Sequence, residues 1–160
     1  MTTSEWAIRI VVLGGVATLV MDGWALLLRW MGLPTLDYAL VGRWLGHMRE
    51  GRWWHRPIQH STPMPHERLL GWGAHYALGI LFALLLWMVT GEGWLRQPTL
   101  APALVFGVAT VIVPWCVIQP AFGAGVAASR TPKPWRARAQ SAATHAVFGV
   151  GLFIGAFVIA

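Results

Sequence analysis

Three side chains that can carry a proton or bind a metal ion lie within otherwise apolar stretches of this sequence: Asp22, His75 and His145. An ionisable side chain is costly in hydrocarbon, so its presence in a stretch of membrane-spanning length points to a function. A carboxyl group can take up and release a proton, and a histidine does so near neutral pH. These three residues are therefore the first candidates for a functional site.

Four roles fit Asp22 and the two histidines. They could form a proton- or ion-coupled path, with Asp22 as the carrier and the histidines as relays. His75 and His145 could ligate a haem from both sides, or they could join Asp22 in holding a divalent metal ion. The polar groups could also serve only to fix helix packing. A further role is enzyme chemistry on a lipid or quinone, but no nucleophile–base pair is recognisable, so we assign no catalytic residue and the sequence leans away from an enzyme.

Long apolar segments must position these side chains. A helix needs about 20 apolar residues to cross the hydrocarbon layer, and four segments qualify, at about 8–31, 69–89, 100–119 and 139–160. At about 1.5 Å per residue, Asp22, His75 and His145 fall in the same half of the membrane, within roughly one helical turn in depth. Gln119 approaches that level from the end of the third span. The predicted intramembrane polar site is therefore Asp22, His75, His145 and Gln119.

Positive charge predicts the orientation of the four spans. Most of the Lys and Arg residues lie in two segments between spans, 32–68 and 120–138, and only Arg9 and Arg96 lie on the opposite side. Because loops that stay in the cytoplasm are rich in Lys and Arg, both segments are predicted to be cytoplasmic and both termini to lie outside. The second basic segment is also predicted to contact lipid headgroups, through Arg130, Lys133, Arg136 and Arg138.

Composition excludes several classes of protein. Apolar residues make up 56% and charged residues 11% of the chain, against about 25% charged in a soluble domain. The net charge of +6 is not spread over one face, which argues against nucleic acid as a partner. Cys116 is the one cysteine, so a disulfide framework and a thiolate metal site are excluded. Membrane lipid is the expected partner, and the sequence allows a homo-oligomer.

The first cytoplasmic segment is predicted to begin with a short amphipathic helix. Apolar residues repeat at helical spacing from Leu36 to Met48, with Thr35 as the expected N-cap. Such a helix can lie on the membrane surface or fold over the bundle as a lid. The following stretch to residue 67 is proline-rich and is predicted to be irregular. Its histidines match no metal motif and are expected to face solvent or headgroups; together with the one near the end of the helix they are His47, His55, His60 and His66.

An internal repeat connects the two halves of the chain. The sequence GVAT occurs at 15–18 in the first span and at 107–110 in the third. The second span has His75 and Gly79, and the fourth has His145 and Gly149 at the same spacing. The pattern predicts a two-helix hairpin duplicated in the same orientation. Asp22 then corresponds to Pro114, so the acid is present in the first half only.

Several short motifs spread over nearly the whole chain carry a resemblance to known sequences: MDGW at 21–24, DYALVGRWLGH at 37–47, ERLLGW at 67–72 with His75 and Tyr76, QP at 119–120, SRTP at 129–132, and His145 with FG at 148–149. Through these motifs the chain resembles an uncharacterised family of small bacterial inner-membrane proteins. It implies a multi-pass protein of the bacterial inner membrane, and no site residue or cofactor.

The predicted fold is an all-α integral membrane four-helix bundle, built from two tandem helical hairpins with a short cytoplasmic amphipathic helix. Residues 1–160 form a single membrane domain. The favoured function is a small transporter or an ion- or proton-handling protein with an intramembrane Asp/His site. The alternatives are a bis-histidine haem electron carrier and a non-catalytic membrane subunit whose polar cluster fixes packing.

Overall fold

The computed structural model of the chain describes residues 3–159, which are helical with no strand. The helices are α1 (Thr3–Trp30), α2 (Tyr38–Met48), α3 (Glu67–Arg96), α4 (Leu100–Ala109), α5 (Gln119–Ala121) and α6 (Pro134–Ile159). Short 3₁₀ turns lie at Ile58–His60 and Val126–Ala128, and a π-helical turn at Pro114–Ile118 joins α4 to α5.

Four helical stretches in the described part of the chain are long and apolar enough to cross a membrane: Ser4–Trp30, Glu67–Arg96, Leu100–Ala121 and Pro134–Ile159. The four predicted spans are confirmed, and apolar helices of this number and length indicate a membrane protein.

The boundaries of the spans differ from the predictions by a few residues for local reasons. α3 runs to Arg96, but Gly91 has φ 72° and interrupts the helix just beyond the predicted end at Val89. α6 begins at Pro134, before the apolar stretch, because proline at a first helical position has a fixed φ suited to the helix. The third span contains Pro114, which lacks an N–H group, and a π-helical turn accommodates it.

The chain divides into two compact units. Unit 1 contains the described residues up to Thr35, the range Tyr76–Thr110, and the described residues from Ala143 onward. Its core is made of apolar side chains from α1, α3, α4 and α6, and the most completely buried are Leu13, Ala17, Ala83, Leu86, Ala103, Leu152 and Ala156. Unit 1 thus contains most of each of the first, second and fourth spans and the first half of the third.

Small residues let the helices of unit 1 approach closely. A Cβ atom added at Gly14 of α1 would lie 2.5 Å from the Cα of Ile80 in α3. One added at Gly107 of α4 would overlap the backbone of Gly149 in α6. Such contacts between small residues are typical of helix association in membranes, where close backbone approach increases dispersion attraction.

Unit 2 contains Leu36–His75 and Val111–Ala142. A second apolar cluster, Val41, Trp44, Ile58, Ala121 and Phe122, forms its core. The predicted helix of the first loop is confirmed, but it begins at Tyr38 and its N-cap is Asp37, not Thr35. The Asp37 side chain accepts a hydrogen bond from the Ala39 N–H at 3.0 Å, which satisfies a donor at the helix start.

Helix α2 packs against the beginning of α3 through two glycines. A Cβ at Gly42 would overlap the Glu67 carbonyl group, and a Cβ at Gly71 would overlap that of Tyr38. The polar side chains Arg43 and His47 of α2 are buried within unit 2. α2 therefore turns polar as well as apolar residues towards the interior of this unit.

Candidate functional site

Asp22 lies on α1 and is half-buried within unit 1. Its Oδ2 atom accepts a hydrogen bond from the Tyr76 hydroxyl of α3 at 2.9 Å. The sequence interpretation considered only histidines as partners of Asp22, so Tyr76 was missed. A phenolic hydroxyl beside His75 in an apolar helix was the available signal, because a buried tyrosine hydroxyl needs a hydrogen-bond partner.

His145 lies on α6, where its Nδ1 atom is 2.7 Å from the hydroxyl of Thr110 in unit 1. The same hydroxyl donates to the Gly107 carbonyl at 2.6 Å. A threonine hydroxyl has one proton to donate; when that proton is on the Gly107 carbonyl, the Nδ1–H of His145 donates to the threonine oxygen. This tautomer makes Nε2 the proton-accepting nitrogen of His145.

His75 and Gln119 belong to unit 2. The His75 ring stacks on Tyr38, with 4.0 Å between ring centroids, and meets Trp72 edge-on at 5.8 Å. Gln119 donates from Nε2 to the Ser141 hydroxyl at 3.3 Å, and its buried Oε1 has no hydrogen-bond partner among the described residues. Asp22 and His145 are thus in one unit, and His75 and Gln119 in the other. The shared four-residue cluster stays a prediction.

No group of three or more His, Cys, Asp or Glu side chains within residues 3–159 is arranged to hold a metal ion. The divalent-metal hypothesis for Asp22, His75 and His145 therefore gains no geometric support. The bis-histidine haem hypothesis stays a prediction, because His75 and His145 lie in different units.

Unit 2 contains a buried ion pair that the sequence interpretation missed. Arg43 donates from Nε and from one terminal nitrogen to the Glu67 carboxylate at 2.8 and 2.9 Å. Its other terminal nitrogen donates to the carbonyl groups of Ile58, Gln59 and Ser61 at 3.1–3.4 Å. The hydrogen bond with Glu67 raises the pKa of Arg43 above its ordinary value. Arg43 therefore stays charged and binds the loop between α2 and α3.

A histidine pair lies one helical turn further along α2. His47 Nδ1 and His55 Nε2 are 2.9 Å apart, and the two side chains are 0% and 7% exposed. The expectation that these histidines face solvent or headgroups is wrong for His47 and His55, because the loop folds back over the C-terminal end of α2. It is confirmed for His60 and His66, which are exposed.

The basic segment before and within the start of α6 is exposed. Arg130, Lys133, Arg136 and Arg138 all lie at the surface. The Arg136 guanidinium lies 5.3 Å from the ring centroid of the exposed Trp135, an arrangement that favours a cation–π contact. Arg138 donates to the Ala127 carbonyl at 2.7 Å. Exposed cations beside a tryptophan suit a headgroup region, and the predicted lipid contact stays a prediction.

Comparison with known proteins gives one family and no activity. A family model described as "Protein of unknown function (DUF2938)" matches residues 11–159. No curated protein and no solved structure matches the chain.

Proposed function

This chain belongs to the DUF2938 family, a family of unknown function, and from that premise we propose that it is a small proton-handling membrane transporter with Asp22 as its proton carrier. The observation that carries the proposal is the hydrogen bond between Asp22 and the Tyr76 hydroxyl, 2.9 Å long and joining two of the apolar helices. A carboxyl group inside a span is costly, so a role that needs its charge to change explains its presence.

Tyr76 suits a carboxyl group that gains and loses a proton. A phenolic hydroxyl both donates and accepts hydrogen bonds. It donates to the Asp22 carboxylate, and after rotation it accepts a hydrogen bond from the protonated carboxylic acid. Both protonation states of Asp22 can therefore be bonded to the same partner, without moving either helix.

We assign a relay role to His145 in the same unit. A Thr110 hydroxyl that donates to the Gly107 carbonyl favours the Nδ1–H tautomer of His145, in which Nε2 is the nitrogen that can receive a proton. A histidine takes up a proton near neutral pH and is suited to passing it on. The role of His75, which stacks on Tyr38 and meets Trp72 edge-on in unit 2, stays a prediction.

Proton flux into liposomes tests this function. The purified protein is reconstituted in vesicles with an entrapped pH-sensitive dye, and a potassium diffusion potential is applied. We expect proton entry through the wild-type protein, a loss of about tenfold or more in Asp22→Asn, and a smaller loss in Tyr76→Phe. The matched control is Glu92→Gln, because Glu92 is exposed and pairs only with Arg96 at 3.4 Å among the described contacts. Equal flux in the wild type and in Asp22→Asn would refute the assignment.

A non-catalytic membrane subunit is the second candidate, and a specific observation favours it. Polar side chains join neighbouring helices of unit 1 by hydrogen bonds, as between Trp24 Nε1 and the Thr144 hydroxyl at 3.2 Å. Such bonds fix the register of helices in membranes. If the wild type conducts no protons and Asp22→Asn only lowers the melting temperature, this second function replaces the first.

We further propose the orientation and surroundings of the chain. The segments 32–68 and 120–138 face the cytoplasm of a bacterial cell, and both termini face the periplasm. The excess of Lys and Arg in these segments supports this orientation. Anionic lipid headgroups would then lie against the exposed cations of the second segment, whose positive charges they would neutralise.

A further inference from the structure

The geometry of the His47–His55 pair identifies a direct hydrogen bond between the two rings. The ring centroids are 5.1 Å apart and the planes are tilted by 25°. A centroid separation of 5.1 Å is close to the longest that a 2.9 Å contact between ring nitrogens allows. The two nitrogens therefore lie almost on the line between the ring centres, with a proton of one ring aimed at the lone pair of the other. A metal ion bound to both nitrogens would lie off this line, so each ring would have to turn to point its nitrogen lone pair at the metal.

Each ring also has a buried nitrogen with no hydrogen-bond partner. His47 Nε2 and His55 Nδ1 are shielded from solvent and unbonded among the described residues. A neutral imidazole has one N–H and one bare nitrogen. In the neutral pair one proton lies between the rings, and one outer nitrogen has the second N–H. The remaining outer nitrogen is bare, and it is the atom to which a further proton would add.

The pair fastens a segment that we call the strap, residues 52–61. The N–H groups of His55 and Ile58 donate to the carbonyl groups of Ala121 and Phe122 at 2.9 and 3.2 Å. Trp44 Nε1 donates to the Trp53 carbonyl at 2.9 Å. These bonds hold the strap against α2 and against the end of the third span.

Contact between the strap and the turn after α5 is close. Gly123 has φ 91°, and a Cβ added there would lie 2.6 Å from the His55 carbonyl oxygen. The side chain of Ile58 is completely buried between the two segments. The docked strap therefore holds the His55 backbone directly against the turn that contains Gly123.

We propose that His47 and His55 form a proton-binding site that fastens the strap only while both rings are neutral, so that uptake of a proton at an outer nitrogen releases residues 52–61 from the end of the third span. In this step one proton from solvent adds to the bare nitrogen, and the pair gains one positive charge. The site is separate from Asp22 and does not depend on the function proposed above.

Charges of both signs act on the pair in the docked state. From the strap, the Arg52 cation acts on His55. From α3, Glu67 faces His47, but its carboxylate is bound by Arg43 of α2. The end of the third span contributes a backbone carbonyl, that of Ala121. A proton on either outer nitrogen would be buried without a hydrogen-bonded carboxylate among the described residues, which is a costly arrangement.

Burial lowers the pKa of His55 below its ordinary value of 6.5. The released strap therefore binds the proton more readily than the docked strap. Docking is at full strength above pH 6.5 and weakens as the pH falls below it. For one proton bound only by the released form, docking weakens about tenfold for each pH unit below that value.

Hydrogen–deuterium exchange tests the proposal on the full chain in lipid nanodiscs. The protection factors of the His55 and Ile58 amides are measured at pH 7.5 and pH 5.0, with correction for the intrinsic exchange rate. We expect both factors to fall by about tenfold or more at the lower pH, while the amides around Leu86 in α3 keep theirs. Unchanged protection of His55 and Ile58 at pH 5.0 would overturn the proposal.

Matched variants show which histidines are responsible. The double change His47→Asn with His55→Gln places amide groups near the bonded nitrogens and cannot titrate in this range, so protection should no longer depend on pH. The control change, His60→Gln with His66→Gln, alters the two exposed histidines and should leave the acid response intact. An acid response that is lost in the control and kept in the first variant contradicts the site.

Histidine NMR of the wild type gives an answer even if the double variant does not fold. With ¹⁵N-labelled histidine, proton uptake by the pair should occur together with release of the strap. Proton uptake by the pair while the His55 and Ile58 amides keep their protection would overturn the proposal. Stoichiometric metal in elemental analysis, absent from the double variant, would overturn it as well.

Discussion

At the scale of single residues, Arg43 and Asp22 differ in whether their hydrogen-bond partners suit a neutral form of the side chain. Arg43 is surrounded by acceptors, with the Glu67 carboxylate on one side and three backbone carbonyl groups on the other. Nothing in that arrangement favours a neutral form. Asp22, in contrast, has a partner that is suited to both of its protonation states. Arg43 is therefore suited to a structural role, and Asp22 is suited to gaining and losing a proton.

The change Glu67→Gln tests the structural role of Arg43. The Arg43 and Glu67 side chains are only 11% and 17% exposed. The change therefore leaves the Arg43 guanidinium largely buried and without its carboxylate partner. Loss of one partner of a buried ion pair costs about 3 kcal/mol or more. We expect the free energy of unfolding in mild detergent, measured by denaturant titration, to fall by about that amount.

Glu92→Gln is the matched control for this change. Glu92 pairs with Arg96 one turn away, and the side chains are 49% and 74% exposed. An exposed pair contributes about 0.5 kcal/mol or less. Equal losses in Glu67→Gln and Glu92→Gln would show that burial does not distinguish the two ion pairs.

At the scale of helices, the two halves of the chain are similar without being identical. Thr18 and Thr110 come from the repeated GVAT sequence, and both are buried with a hydroxyl bonded to a carbonyl in the preceding turn. Thr18 lies against Gly79, and Thr110 contacts His145. The two threonines therefore share the bond to their own helix, while their neighbours on the next helix are not equivalent positions of the repeat. The duplication itself stays a prediction.

The repeated glycines do not share the same surroundings. Gly107 packs against the backbone of Gly149, whereas no atom lies within 4 Å of a Cβ added at Gly15. In the first half the close contact is made by Gly14 instead. The contact position is therefore displaced by one residue between the two halves. A comparison of the two repeated sequences could not reveal this displacement.

This displacement predicts opposite results for two alanine substitutions. Gly107→Ala forces α4 and α6 apart and should destabilise the protein by about 1–3 kcal/mol, as overpacking usually does. Gly15→Ala meets open space and should be neutral or slightly stabilising, because alanine is the better helix former. Thermal unfolding of both variants in detergent distinguishes them. A larger loss in Gly15→Ala than in Gly107→Ala would contradict the packing described here.

At the scale of the whole molecule, the apolar helices leave most of their surface uncovered. Only 22% to 39% of the most apolar part of each candidate span is buried inside the protein. Large side chains such as Leu19, Val89 and Val105 are more than half exposed. An aqueous protein rarely exposes apolar surface on this scale, whereas hydrocarbon tails would cover it at no cost.

The proposed orientation is tested with reporter fusions in a bacterial host. We expect alkaline phosphatase fused after Ala160 to be active, because it folds outside the cytoplasm, and green fluorescent protein fused there to stay dark. Fused after Arg138, in a chain that ends before the apolar part of α6, the two reporters should behave in the opposite way. The reverse pattern at both positions would invert the proposed topology.

Much of the fold was predictable from the sequence because hydrocarbon imposes one strong constraint. A span must be helical, apolar and about 20 residues long, so four such segments could be recognised one by one. The end of the second span near Val89 was predictable to within a few residues of the break at Gly91. The start of α6 at Pro134 was not, because its first turns are basic and lie outside the apolar stretch.

Less of the candidate site was predictable, because it depends on pairs of residues far apart in the sequence. Asp22 and His145 were recognised as polar positions in apolar helices, but their contacts with Tyr76 and Thr110 depend on helix rotation. The burial of His47 was unpredictable for a similar reason. It requires a proline-rich loop to fold back on α2, and the hydrophobic periodicity of the sequence does not indicate how a loop folds.

The docking of the strap on the end of the third span has a consequence for biosynthesis. The N–H groups of His55 and Ile58 leave the ribosome long before the carbonyl groups of Ala121 and Phe122 that accept their hydrogen bonds. During that interval the first loop cannot dock, and these N–H groups remain bonded to water. A nascent chain stalled within the third span should therefore be cleaved readily by trypsin after Arg52, and the completed chain should resist cleavage there.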